Sequence, residues 1–228
     1  MRKLINIGVL VLTFQLAAFG CSGDKTEETK EPAKDTKQVV QTPDENRMDY
    51  RHPIRDKSNP IVTLETNFGN LTLELYRDVA PAHADSFLAR TKDGFYSSTI
   101  FHRVRKNFVI QGGNALAAGK ERVKYTLESE VNDLPHKEGT MSMARANDPN
   151  SAKTQFFVCL TRNTSIAWLD GKYTNFGQLI KGYDVLQKIS DVPVGPSKWL
   201  PNEVSQPVEE VKLIKAYHSD AEGNPAGL

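Results

Sequence analysis

Residues 61–76 read IVTLETNFGNLTLELY, and their pattern decides the kind of sheet this chain can build. Residues 61–66 and 71–76 alternate apolar with polar side chains, and Asn67-Phe68-Gly69-Asn70 separates the two runs. Successive side chains of a strand face opposite ways, so each run buries one face and wets the other. Two such runs with a short Asn/Gly connection predict a β-hairpin. A hairpin makes its strands antiparallel, without the helical crossover that a parallel pair requires. Downstream, Pro81 opens a segment in which Ala84, Phe87 and Leu88 recur at helical spacing, and Gly94 ends it. Pro in the first turn and Gly past the last predict a helix of about three turns. Strand-like runs follow at 100–104, 108–111, 139–144, 155–160 and 176–180. A second helix is predicted over 183–189, where Val185, Leu186 and Ile189 share a side, and a last alternating strand over 208–217. Many short strands with two helices and no regular βαβ alternation predict a mainly antiparallel β domain, barrel or sandwich.

Outside that domain the chain changes character. Met1-Arg2-Lys3 is basic, and residues 4–19 (LINIGVLVLTFQLAAF) are almost wholly apolar before the sequence turns polar after Cys21. A basic start, a short apolar run and a small residue before a cut predict a signal peptide over 1–20. The run is short for a membrane span. Cys21 at the cut resembles the lipobox of bacterial lipoproteins, although Ala18 stands where Leu is usual. The resemblance implies a lipid on Cys21 and an exported protein anchored to a membrane; plain secretion is the alternative. Residues 21–60 are dense in Lys, Asp, Glu, Thr and Pro. Such a stretch buries too little to offset its ordering entropy and is expected to be a flexible tether. The domain is expected over 61–218, with a flexible tail over 219–228. The formal net charge of the 228 residues is +1, so no field draws a polyanion and no nucleic-acid partner is expected. The two cysteines, Cys21 and Cys159, lie far apart in unlike contexts and give no disulfide framework. The five histidines are scattered, so no metal site is assigned.

Residues 101–113, FHRVRKNFVIQGG, set an arginine in a mostly apolar run. A charge buried without a partner is costly, so Arg103 must either reach solvent or face a cleft. Together with KTQFFVCL (153–160), WLDGKYTNFGQLIKGYDVL (168–186), GTMSMAR (139–145) and ETNFGNLTLELYRDVAP (65–81), this stretch resembles the cyclophilin family. The likeness covers about residues 61–217. It implies a closed eight-stranded antiparallel β-barrel capped by two α-helices. It also implies peptidyl-prolyl cis–trans isomerase activity, without metal or cofactor, in a groove on the barrel's outer face. Proline-containing polypeptides would be the partners, and folding of exported proteins the task; the lack of a long exposed apolar run points to a monomer. A proline-peptide-binding module or holdase, with turnover incidental, is the alternative reading.

Carried over by motif position, Arg103 would be the hydrogen-bond donor to the reacting imide, and Gln111 would orient it and hold a substrate carbonyl. Phe108, Val109 and Phe157 would line the proline slot. Ala144 would offer backbone to the peptide beside Gln155, while Trp168, Leu169 and Tyr173 would wall the groove. Arg145 would add a second guanidinium near the peptide path. The chain departs from the family pattern at four places. Many members have Met at the position of Val109, His at Tyr173, Asn at Arg145, and a Pro-Gly type turn where Arg105-Lys106-Asn107 stands. These changes leave peptide preference and cyclosporin binding open. His102 reads as a structural hydrogen bonder and Cys159 as a small buried hydrophobe. Residues 191–207, with four prolines and Trp199, read as a loop leading to the last strand.

Overall fold

The structure, a computed structural model, describes residues 53–121 and 123–226; the expected signal peptide, Cys21 and most of the tether lie outside the described residues. The opening hairpin forms as β1 (Ile61–Thr66) and β2 (Gly69–Leu75). Its turn is held by Thr66, whose hydroxyl donates to the Gly69 carbonyl at 2.7 Å and accepts from the Phe68 N–H at 3.0 Å. Gly69 has φ +126°, and a Cβ there would strike Val185. Then come α1 (Pro81–Lys92), β3 (Thr99–Phe101), β4 (Arg103–Arg105), β5 (Val109–Gly112), β6 (Thr140–Met143) and β7 (Phe156–Cys159). The chain continues through α2 (Thr164–Ala167), β8 (Asn175–Lys181), α3 (Tyr183–Ser190), β9 (Val194–Pro196), β10 (Val204–Pro207) and β11 (Val211–Ser219).

One antiparallel sheet runs β3-β11-β1-β2-β8-β6-β7-β5-β4, and β9 pairs with β10 in a separate hairpin. The large sheet therefore has nine strands where eight were expected, and the barrel is nearly closed rather than closed. The reason is local. The strand expected over 100–104 breaks at His102, and its halves β3 and β4 become the two edges of the sheet, one residue apart. α2 is a third, short helix beyond the expected two.

Alternation fills the barrel. Val62, Leu64, Leu71, Leu73, Leu75, Ile110, Met141, Phe156, Val158 and Leu213 all belong to one buried cluster. α1 adds Ala84 and Phe87, and the Phe87 ring stacks on Tyr96 at 4.4 Å and meets Phe156 edge-on at 5.2 Å. Each such large apolar side chain contributes about 1.5–3 kcal/mol on burial. α3 covers the sheet with Val185, Leu186 and Ile189, as its periodicity predicts.

Ordered chain begins before Ile61. Glu74, wholly buried on β2, accepts the backbone N–H groups of Arg55 and Asp56 at 2.8 and 2.9 Å and the Asn59 amide at 3.0 Å. A buried carboxylate needs such donors, so the last residues assigned to the tether are tied to the barrel. At the other end Asp220 accepts the N–H groups of Glu222 and Asn224, both at 2.9 Å, and Ala226 N–H donates to the His218 carbonyl at 3.0 Å. The expected tail thus turns back along β11.

Candidate active site

Strand register assembles the site. Arg103 on β4 is paired with Gln111 on β5, and Gln111 with Phe157 on β7, so the three stand in one row across neighbouring strands. Ile110, Phe156 and Val158 point into the barrel, and the residues between them face outward. On that outer face Val109, Phe157, Cys159, Ile166 and Leu169 form a second buried cluster, with Phe108, Ala144 and Tyr173 packed against it. The segment after β7 supplies its cover. Asn163 caps α2 by accepting the Ile166 N–H at 3.0 Å, and the turn that follows lays Ile166 and Leu169 on the sheet. Trp168, between them, remains 54% exposed. Gly113, just past β5, has φ +74°, and a Cβ there would collide with the Thr154 carbonyl; only glycine lets the two backbones pass.

Arg103 is half-buried and held from two sides. Its Nη1 donates to Gln111 Oε1 at 3.1 Å, and the Gln111 amide donates in turn to Gln155 Oε1 at 3.0 Å. Its Nε and Nη2 donate to the two carboxylate oxygens of Glu203 at 2.6 and 2.9 Å. The guanidinium carbon lies 5.7 Å from the Phe108 ring centre. Burial pushes the Glu203 carboxyl up, but the Arg103 hydrogen bonds and charge outweigh it and hold the group below its ordinary value. Glu203 did not emerge from the sequence, because nothing local marks a carboxylate a hundred residues from its partner.

Beneath Phe157 runs a second feature that the sequence did not disclose. Ser142 Oγ lies 2.7 Å from His136 Nε2, and His136 Nδ1 lies 3.0 Å from Asp170 Oδ1. Arg162 closes the line at 2.8 Å from Asp170. The order serine, histidine, carboxylate is that of a nucleophilic triad, but Ser142 is 0% and His136 1% exposed, so no substrate carbonyl can reach the hydroxyl. The line is a support. The His136 ring lies 6.3 Å from Phe157 and nearly parallel to it. Burial lowers the His136 pKa against the pull of Asp170, which favours neutral imidazole. Burial also pushes Asp170 up, but its bonds from Arg162 and His136 win and draw it down to about 2.

The remaining assigned residues fall around this floor. The Tyr173 ring meets Phe157 edge-on at 5.7 Å, and Arg145 stands over Tyr173 at 4.7 Å. The Arg145 guanidinium donates to the carbonyls of Lys172 at 2.9 Å and Ala146 at 2.8 Å. It braces the Tyr173 turn against the end of β6. Ala144 donates its N–H to the Gln155 carbonyl at 2.8 Å. Cys159 is wholly buried, and burial raises its thiol pKa far above the ordinary value. His102 is buried beside Arg103, and its Nδ1 has no hydrogen-bond partner among the described residues. Burial, then the Arg103 charge, push its pKa down to about 4.

The chain has relatives in sequence and in fold. The family model for cyclophilin type peptidyl-prolyl cis-trans isomerases matches residues 61–217. A peptidyl-prolyl cis-trans isomerase of Acinetobacter baylyi is 39% identical over 160 residues, 68% of this chain and 85% of that protein. A peptidyl-prolyl cis-trans isomerase-like 1 of Neurospora crassa is 38% identical over 160 residues, covering 68% of this chain and 91% of the relative. Among solved structures, a cyclophilin type isomerase of Cryptosporidium parvum, crystallised in the presence of the dipeptide Ala-Pro, superposes with a TM-score of 0.62 at 31% identity. That likeness spans 70% of this chain and 99% of the other. The chain belongs to the cyclophilin-type peptidyl-prolyl cis-trans isomerases, enzymes that interconvert the cis and trans forms of Xaa-Pro peptide bonds.

Proposed function

We propose that Arg103 drives this isomerisation by donating a hydrogen bond to the prolyl nitrogen, in an exported, monomeric protein tethered through a lipid on Cys21. Resonance gives the amide C–N bond partial double character and a rotation barrier of about 18–20 kcal/mol. In the twisted transition state the nitrogen lone pair leaves the carbonyl and can accept a hydrogen bond. A fixed cationic donor aimed at that nitrogen stabilises the twisted form over either planar one, and only such a difference accelerates the reaction. No nucleophile or proton transfer is required.

Phe108, Val109 and Phe157 take the proline ring in this reading. Gln111 holds a substrate carbonyl and orients Arg103, with Gln155 fixing Gln111. The Ala144 carbonyl, Trp168, Leu169 and Tyr173 guide the flanking peptide. The observation that carries the reading is the row of Arg103, Gln111 and Phe157 in register on one face, with the guanidinium beside an aromatic cluster. The Ala-Pro dipeptide used with the Cryptosporidium relative supports proline-containing polypeptides as substrates. Proline segments of exported proteins would then be the targets.

Arg103→Ala tests the chemistry. On a short Ala-Pro peptide it should lose about 10²–10³ in kcat, the range for removal of one transition-state donor, while the protein stays folded and retains part of its peptide affinity. An unchanged rate would refute the assignment. Mass spectrometry of the mature N-terminus tests the anchor: a diacylglycerol on Cys21 is expected, and an unmodified thiol would return the protein to plain secretion.

A further inference from the structure

The β9–β10 hairpin stands where a loop was expected, and its turn delivers a carboxylate to the site. Leu200-Pro201-Asn202-Glu203 form a tight turn in which the Glu203 N–H donates to the Leu200 carbonyl at 3.1 Å and Asn202 has φ +68°. Proline second and a positive-φ residue third are the requirements of a type II turn. Ser197 secures it, donating its N–H to the Glu203 carbonyl at 2.8 Å and accepting the N–H groups of Trp199 and Leu200 at 3.1 and 3.0 Å. β10 runs beside β4, which brings the Glu203 side chain onto Arg103.

We propose that Glu203 is a positioning residue for the isomerisation, fixing the plane and direction of the Arg103 guanidinium. The proposal rests on the reading of Arg103 as the donor. A guanidinium has five N–H donors in a rigid fork. Glu203 takes the Nε–H and one on Nη2, and Gln111 takes one on Nη1, so one N–H on each terminal nitrogen is left for substrate. Gln111 alone would leave the group free to pivot about a single bond. The two-point grip of a carboxylate sets its plane. The pair is also shielded, with side-chain exposures of 13% and 23%, so solvent competes with it less than with a surface ion pair. Sequence conveys none of this, because the grip is made by an element inserted between α3 and the last barrel strand.

The test compares kcat and KM on a short Ala-Pro peptide for wild type, Glu203→Ala, Glu203→Gln, Arg103→Ala and the double variant Arg103→Ala/Glu203→Ala. Glu203→Ala should lower kcat by about tenfold with KM nearly unchanged, as expected when a transition-state donor is misaligned but ground-state binding is not. Glu203→Gln keeps the shape and one acceptor and should fall between; it carries the test should Glu203→Ala fail to fold. Adding Glu203→Ala to Arg103→Ala should cost nothing further, since the carboxylate acts through the guanidinium. Val204→Ala, on the exposed side of the same hairpin, should leave turnover unchanged. In ¹H–¹⁵N spectra the Arg103 Nε–H should exchange slowly in wild type and quickly in Glu203→Ala. If Glu203→Ala matches or exceeds wild type while Arg103→Ala is inactive, the positioning role is overturned and the donor stands. An equal further loss in the Arg103→Ala background would likewise overturn it, as a structural effect. A fully active Arg103→Ala would instead overturn the donor reading itself.

Discussion

Phe156 and Phe157 are neighbours on β7, yet they serve opposite faces of one sheet. Phe156 points into the barrel and meets Phe87, Tyr96 and Phe101 edge-on at 5.2, 5.6 and 5.8 Å. Phe157 points outward onto Val109, Cys159 and Leu169, with Tyr173 beside it and the Ser142–His136–Asp170 line beneath. The inner ring is held by other rings and fills space. The outer ring is packed among Val109, Cys159, Leu169 and Tyr173, with the His136 ring stacked against it and 5% of its surface exposed. A floor for a proline ring needs that second arrangement, dry and rigid below the ring. The period of two along a strand is what lets one tetrapeptide serve both ends.

Substitution should separate the two roles most sharply. Phe156→Ala is expected to cost about 3–5 kcal/mol, because the barrel cannot collapse into the space left by a ring packed on three sides. Phe157→Ala, in a smaller cluster, should cost less, about 2 kcal/mol. Activity should rank the other way: Phe157→Ala losing about tenfold to hundredfold in kcat/KM on an Ala-Pro peptide, and folded Phe156→Ala staying within a few fold. Urea unfolding and peptide kinetics on the same samples would check this. Parallel losses in both measurements would mean that the faces are not separate.

The same contrast accounts for what could be read in the sequence. Hairpin β1–β2, helix α1 and the inner faces of β5, β7 and β8 follow from local periodicity, because burial on one face writes itself into neighbouring residues. Arg103, Gln111 and Phe157 were assigned by their motif positions, and register brings them together. Contacts made across the fold left no local mark. His136 and Asp170 are 34 residues apart, and Arg103 and Glu203 a hundred. The β9–β10 hairpin was hidden by Pro196 and Pro207, which suit the margins of a two-stranded ribbon but read as loop. The break at His102 was hidden because Ile100, Phe101 and Val104 on either side of it read as one strand-like run. Arg145, assigned by motif position, donates hydrogen bonds to the chain's own carbonyls, contacts that no local pattern announced.

His102 sits at that break, where the chain passes from barrel to site, and it ties stability to pH. Its folded pKa of about 4 lies below the ordinary 6.5. Between those values the unfolded chain binds a proton that the folded one refuses, so stability is lost as pH falls through this window. His83, His136 and His218 are shifted the same way and add to the decline. His102→Asn should shrink the stability lost between about pH 7 and 4.5 by about 2 kcal/mol. Urea midpoints for the two proteins at both pH values measure it. If the two proteins lose stability in parallel, His102 already accepts a proton in the fold.

The smallest effect should come from the rim. Trp168 is 54% exposed, while its neighbour Leu169 is 4% exposed and belongs to the outer buried cluster. The Trp168 ring carries the Lys172 ammonium at 3.9 Å, an exposed cation–π contact that contributes about 0.5–1 kcal/mol. Trp168→Ala should therefore lower stability by no more than about 1 kcal/mol. Its effect on turnover should also differ in kind from that of Arg103 or Phe157. A rim residue touches the peptide equally in the planar and twisted states, so its loss raises KM by a few fold and leaves kcat where it was. A fall in kcat with KM constant would move Trp168 from the wall of the groove to the reacting centre. The division between a floor that positions and a rim that only binds would then have to be redrawn.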